Sequence, residues 1–199
     1  MKLSFFVRDL VLKHTFTIAH QSRDVQDTII VKLEDGDFYG LGETTTNPFY
    51  GMTAENICSK LEESRSMVEN GNWSSPEELW EMGKVVFKDN PFAQCALDLA
   101  AWDIFTKKKG KKLYEYLGLD PQNIPLTNFT IGIDSLEKMV AKMKVVDWPL
   151  YKIKLGTEND LEIIRELRKN TTSKFRIDAN CAWTAQQAID YSQELAQLG

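Results

Sequence analysis

The chain has 199 residues, 43% of them hydrophobic and 27% charged, with a formal net charge of −5. This is the composition of an ordinary folded protein, and the acidic balance excludes a general nucleic-acid role, which needs a basic surplus. It leaves room for a small anionic substrate, because local potential matters more than total charge.

The start of the chain has no signal-peptide run, and no stretch approaches the ~20 apolar residues of a membrane helix. The three cysteines, Cys58, Cys95 and Cys181, are odd in number, widely spaced and without a CxxC pair, so neither a disulfide framework nor a zinc site is expected. Cys58 and Cys95 fall in helical patterns and read as packed thiols. A cytoplasmic protein with no nucleic-acid or membrane partner is expected; a homo-oligomer is left open.

Residues 2–43 read as strands. Leu3, Phe5 and Val7 alternate, Thr28 to Leu33 is β-branched and apolar, and Glu34-Asp35-Gly36-Asp37 signals a tight turn. Thr53 caps a predicted helix with Ile57, Leu61 and Val68 on one face, ended by Asn70-Gly71. Ser75-Pro76-Glu77-Glu78 reads as a capping box. Asn90-Pro91 opens a helix over 91–109, rich in small apolar residues. Asp98 and Asp103 on it are expected to pair with basic groups or backbone. Lys107 to Lys112 reads as a solvated helix end favoured by the helix dipole. Strands followed by helices make an α+β domain over residues 1–124.

From residue 125 the pattern becomes strand–helix alternation. Leu126–Ile133, Tyr151–Leu155 and Phe175–Asp178 read as strands. Each is followed by a helix, over 135–146, over 158–169 and from Thr184. Three βα units in a row suggest a parallel sheet or the first part of a (β/α)8 TIM-type barrel. Such a barrel takes about 250 residues, so the barrel over 125–199 is expected to be incomplete in this chain, which stops where a fourth strand is due.

Side chains two apart on a strand share a face. Lys152 and Lys154 therefore point one way from the second of these strands, and Asp178 and Asn180 one way from the third. On an isolated strand the lysines would read as solvent-facing, with Tyr151, Ile153 and Leu155 buried. A carboxylate on a strand ~4.8 Å away changes that reading, since charges are not gathered inside a barrel for stability.

An α+β domain leading to Lys152-Ile153-Lys154 and Asp178-Ala179-Asn180, with Ala96-Leu97-Asp98-Leu99-Ala100-Ala101-Trp102-Asp103 at the domain junction, resembles the enolase superfamily. Within it the muconate lactonizing enzyme subgroup is the nearest match. Asn128 to Ile133, the loop His20-Gln21-Ser22-Arg23 and a second mobile loop, Asn47 to Gly51, are most like those of dipeptide epimerases.

The resemblance implies a metal-dependent isomerase that removes the proton α to a carboxylate, epimerising dipeptides such as L-Ala-L/D-Glu. It implies Lys154 as base and Lys152 as the group that holds the carboxylate. It further implies Asp178 as a ligand of Mg2+, Asn180 supporting the site from behind, and Arg23 and Thr130 as substrate binders. Two more acidic ligands and an opposite-face lysine would lie on later strands, so this stretch alone is expected to be inactive. A lyase or cycloisomerase of the same superfamily, or a non-catalytic binding fragment, is the competing expectation.

Overall fold

The computed structural model describes residues 1–198. Three strands come first: β1 (Lys2–Ile18), β2 (Gln21–Asp35) and β3 (Phe38–Thr45). A single 3-10 turn (Pro48–Tyr50) leads to α1 (Ala54–Asn70), α2 (Pro76–Gly83), α3 (Pro91–Lys108) and α4 (Leu113–Tyr116). After another 3-10 turn at Pro121–Asn123, strand and helix alternate. The order is β4 (Phe129–Ile131), α5 (Leu136–Val145), β5 (Leu150–Lys154), α6 (Asp160–Arg168), β6 (Lys174–Asp178) and α7 (Ala185–Leu198). These form two compact units: Met1–Val11 with Val25–Asn123, and Leu12–Asp24 with Ile124 onward. The tip of the β1–β2 hairpin thus groups with the βα units and not with the strands that carry it.

In the first unit the sheet order is β1-β2-β3, with β2 and β3 antiparallel from Thr28↔Thr45 to Asp35↔Phe38. Ile29, Val31 and Leu33 alternate inward from β2 and are fully buried. Each stabilises by about 1.5–3 kcal/mol through area removed from water. They pack with Ile57, Leu61 and Val68 of α1 and with the small-residue stripe Ala93, Ala96, Ala100 and Ala101 of α3. The stripe is small because β3 lies directly on it. A Cβ at Gly42 would sit 1.9 Å from the Ala96 carbonyl oxygen. Asp103 fixes the same contact by accepting from the Leu41 N–H at 2.8 Å.

Several local expectations meet corrections here. The Asn47–Gly51 segment is not an open loop: Asn47 caps the 3-10 turn and pairs with Met52. Cys95 is exposed rather than packed. The inward stripe of α3 runs through 93, 96, 97, 100 and 101, which leaves 95 on the outer face. Lys107 and Lys108 are not simply solvated: the first pairs with Asp103 at 2.7 Å and the second with Asp35. Among the described residues Asp98 makes no such pair; burial, and then repulsion from Glu77, push its carboxyl above the usual range.

The second unit holds a parallel sheet in the order β4-β5-β6, each strand followed by its helix. β4 is shorter than the strand expected over 126–133. One face of β5, Tyr151 and Ile153, joins Leu155 in a core with Ile131, Met139, Met143, Ile164 and Leu167. The buried Tyr151 hydroxyl donates to the Val146 carbonyl at 2.6 Å and accepts from the Trp148 N–H at 3.0 Å. This satisfies a polar group that would otherwise be costly to bury. With the helix-side face of β5 so filled, Lys152 and Lys154 must take the other.

Candidate active site

Period-two alternation brings the two lysines to one face of β5, and the register sets Lys154 opposite Asp178 on β6. Both ammonium groups reach the same carboxylate oxygen. Lys152 Nζ and Lys154 Nζ each lie 2.8 Å from Asp178 Oδ2. Lys154 also donates to Asn180 Oδ1 at 3.0 Å, while the Asn180 N–H donates to Asp178 Oδ1 at 3.0 Å. Lys154 is 8% exposed and is thus no solvent-facing strand lysine.

Partial burial would raise the Asp178 carboxyl. The hydrogen bonds from Lys152 and Lys154, with the Asn180 N–H behind them, outweigh it and hold the group well below the usual carboxylate range. The cluster is therefore a firmly ionised carboxylate held by two lysine side chains. Thr130 stands on β4 in register with Lys152, which pairs in turn with Arg176 on β6. Arg176 donates to Asn128 Oδ1 at 3.0 Å.

The hairpin tip closes over the carboxyl-terminal ends of these strands. The Ile133 N–H, just past β4, donates to the Thr17 carbonyl at 3.0 Å. His20 Nε2 donates to the Asn180 carbonyl at 2.9 Å, past β6. Past β5, Gly156 adopts φ +122°, and a Cβ there would meet the Ala19 Cβ at 2.5 Å. Arg23 lies not on a loop but within β2, because the hairpin pairs almost to its tip; its side chain is half-buried. His20 is the turn residue that does reach the cluster's backbone.

Asn180 and Cys181 have φ of 48° and 64°, a region that residues other than glycine seldom occupy. The turn after β6 is thus held in a conformation the chain alone would not choose. Asp160, which sequence patterns gave no reason to single out, is 1% exposed and binds both the loop after β5 and, through Trp183, the turn after β6. Only its place at the first turn of a helix could have flagged it.

Among the described residues no group of three His, Cys, Asp or Glu could by itself hold a metal ion. Asp178 suits a hard divalent cation as one oxygen ligand. In the first unit, a cavity of about 310 Å³ is lined by Glu77, Trp80, Glu81, Asp98 and Trp102. Its three carboxylates would repel an anionic substrate, and it carries no base beyond them. No helix among the described residues is long and apolar enough to cross a membrane.

Residues 2–118 match the model of the mandelate racemase / muconate lactonizing enzyme N-terminal domain. The chain is 47% identical over 199 residues to an L-Ala-D/L-amino acid epimerase of Flavobacterium johnsoniae, covering 100% of this chain and 59% of that protein. A dipeptide epimerase of Enterococcus faecalis, solved with Mg and the dipeptide L-Leu-L-Tyr, is similar at 29% identity. Its TM-score is 0.87 over 98% of this chain and 58% of that one. An enolase family member of Agrobacterium tumefaciens with homology to dipeptide epimerases, solved with sodium and L-Ala-L-Glu, aligns at 28% identity. There the TM-score is 0.83 over 98% of this chain and 59% of that one. The chain thus spans somewhat more than half the length of the proteins it matches.

Proposed function

The chain belongs to the mandelate racemase / muconate lactonizing enzyme family, and from that premise we propose that its lysine–carboxylate cluster is one side of an active site that epimerises dipeptides. The reaction removes and returns the proton α to a carboxylate. The observation that carries the reading is the meeting of Lys152 and Lys154 on one oxygen of Asp178, 2.8 Å each, at the end of adjacent parallel strands. The relatives named as dipeptide epimerases support the substrate class.

In this reading Lys154 takes the α-proton. It is buried and aimed by two acceptors, Asp178 and Asn180, and so has little freedom to wander. Lys152, more exposed, holds the substrate carboxylate and offsets the negative charge that develops on its oxygens. Thr130, in register with Lys152, binds substrate polar groups nearby. Arg23, on the hairpin whose tip lies over the strand ends, suits a second carboxylate through its bidentate fork. Residues 1–124 serve as the capping domain and 125–199 as barrel, with the hairpin tip lent by the first to the second.

Asp178 and further carboxylates outside the described residues would hold Mg2+, whose positive charge stabilises an enolate-like dianion at a carboxylate. The described residues supply one carboxylate of this site and the base of one face. We place the protein in the cytoplasm, acting on a small molecule, without nucleic-acid or membrane partners; self-association is compatible with this reading.

The test is exchange of the α-hydrogen of L-Ala-L-Glu for deuterium with Mg2+ in D2O, by the full-length polypeptide carrying these residues. Exchange with interconversion of L,L and L,D forms supports the reading. A product lighter by one water would point to a lyase, and a cyclised isomer of unchanged mass to a cycloisomerase.

A further inference from the structure

We infer that Asp160 is a positioning residue that holds the two loops following the strands of the reactive cluster at a fixed spacing. The inference rests on the proposed reading of that cluster.

Asp160 opens α6 and is 1% exposed. A buried carboxylate is costly unless it is fully hydrogen-bonded, and four donor groups converge on this one. Its Oδ1 accepts from the Thr157 N–H at 2.8 Å, the Thr157 hydroxyl at 2.8 Å and the Gly156 N–H at 3.1 Å. Its Oδ2 accepts from the Gly156 N–H at 3.0 Å and from the Trp183 indole N–H at 2.6 Å. Among the described residues none of its partners is a cation. The charge is met by dipoles alone, with the N-terminus of α6 adding to them.

Such a group is an expensive way to close a loop, and its placement explains the expense. Gly156 lies two residues after Lys154. Trp183 lies three residues after Asn180. One carboxylate thus ties the chain leaving β5 to the chain leaving β6. The tie matters because neither end is relaxed. Asn180 and Cys181 both take positive φ. Gly156 is threaded between Ala19 and Ala182, where a Cβ would meet their Cβ atoms at 2.5 and 2.9 Å. Release of Trp183 lets the strained turn relax, and Asn180 Oδ1 then leaves Lys154. Asp160 touches no reacting group; it acts through the loops on the aim of Lys154.

The test compares wild type, Asp160→Asn and Trp183→Phe in the full-length polypeptide. Asp160→Asn keeps the size but puts an NH2 where an acceptor stood. Trp183→Phe removes one donor and leaves the carboxylate, so it stays informative should the first variant fold poorly. For α-hydrogen exchange on L-Ala-L-Glu with Mg2+, kcat is expected to fall by about 100-fold in a folded Asp160→Asn. It should fall by a smaller factor in Trp183→Phe, and KM should move far less than kcat in both. Wild-type kcat in both variants would overturn the inference, as would a loss confined to KM.

Amide exchange gives a second readout that needs no turnover. Gly156, Thr157 and the Trp183 indole N–H are expected to exchange about ten-fold faster or more in Asp160→Asn, with the α5 amides unchanged. Should the wild type exchange no substrate hydrogen, the proposed function fails by itself and this readout alone decides. Faster exchange at those three groups then supports the tie, and unchanged protection overturns it.

Discussion

The Lys154 ammonium and the Asp178 carboxylate meet at 2.8 Å across adjacent parallel strands, in a register that pairs their Cα atoms. The register of the sheet thereby sets Lys154 opposite its carboxylate partner. The lysine is 8% exposed, and its ammonium group is held by Asp178 and Asn180.

Removing the proposed base should therefore be severe and clean. Lys154→Ala is expected to lower α-hydrogen exchange by about 10²–10⁴-fold, the usual contribution of a positioned acid or base. Lys152→Ala should raise KM as well, since that side chain is assigned to the substrate carboxylate. Steady-state rates over a range of dipeptide concentrations separate the two.

Asp178 should give the fold an acid-sensitive component. Burial alone would raise its carboxyl, but the two lysines depress it well below its ordinary value. A depressed folded value means that the stabilisation is fully present above the unfolded value of about 4 and is lost as pH falls through the folded one. Asp178→Asn is expected to cost about 1–3 kcal/mol at neutral pH, because it leaves Lys154 without its counter-charge in a partly screened site. The variant should also show a flatter stability curve below about pH 4. Urea unfolding of both proteins between neutral and acid pH measures this.

Gly156→Ala is expected to destabilise the second unit by about 2 kcal/mol or more. It combines a positive φ with a clash at 2.5 Å against Ala19. Because Ala19 belongs to the hairpin tip, the same variant should loosen the tip. Thermal unfolding followed by amide exchange of residues 17–22 tests both effects.

His20→Ala removes the hydrogen bond from the hairpin tip to the Asn180 carbonyl. His20 is exposed, so the stability cost should stay within about 0.5–1.5 kcal/mol. The larger expected effect is on substrate retention, read as a rise in KM with kcat little changed.

Much of this architecture is legible in the residues themselves. Alternation in Tyr151–Leu155 separates a core face from a lysine face, and the spacing to Asp178 and Asn180 puts acid beside amine. Composition and caps mark the change from α+β to βα units near Ile124. What pattern alone does not carry is long-range. Nothing local in Leu12–Asp24 indicates that this tip belongs with strands more than a hundred residues away; the tie is made by backbone groups such as the Thr17 carbonyl, which every residue possesses. For the same reason Arg23 reads as a loop arginine, although pairing extends the strand past it. Asp160 is invisible for a related cause: its four donors come from a loop and from a tryptophan in the next βα unit, contacts that only the folded sheet assembles.

The most direct test of the lysine–carboxylate site is α-hydrogen exchange on L-Ala-L-Glu in D2O with Mg2+, wild type beside Lys154→Ala, followed by proton NMR. Loss of the α-proton signal with the wild-type polypeptide, and its persistence with the folded variant, is the expected result. Equal exchange by the two proteins, or none by a folded full-length wild type, would contradict it.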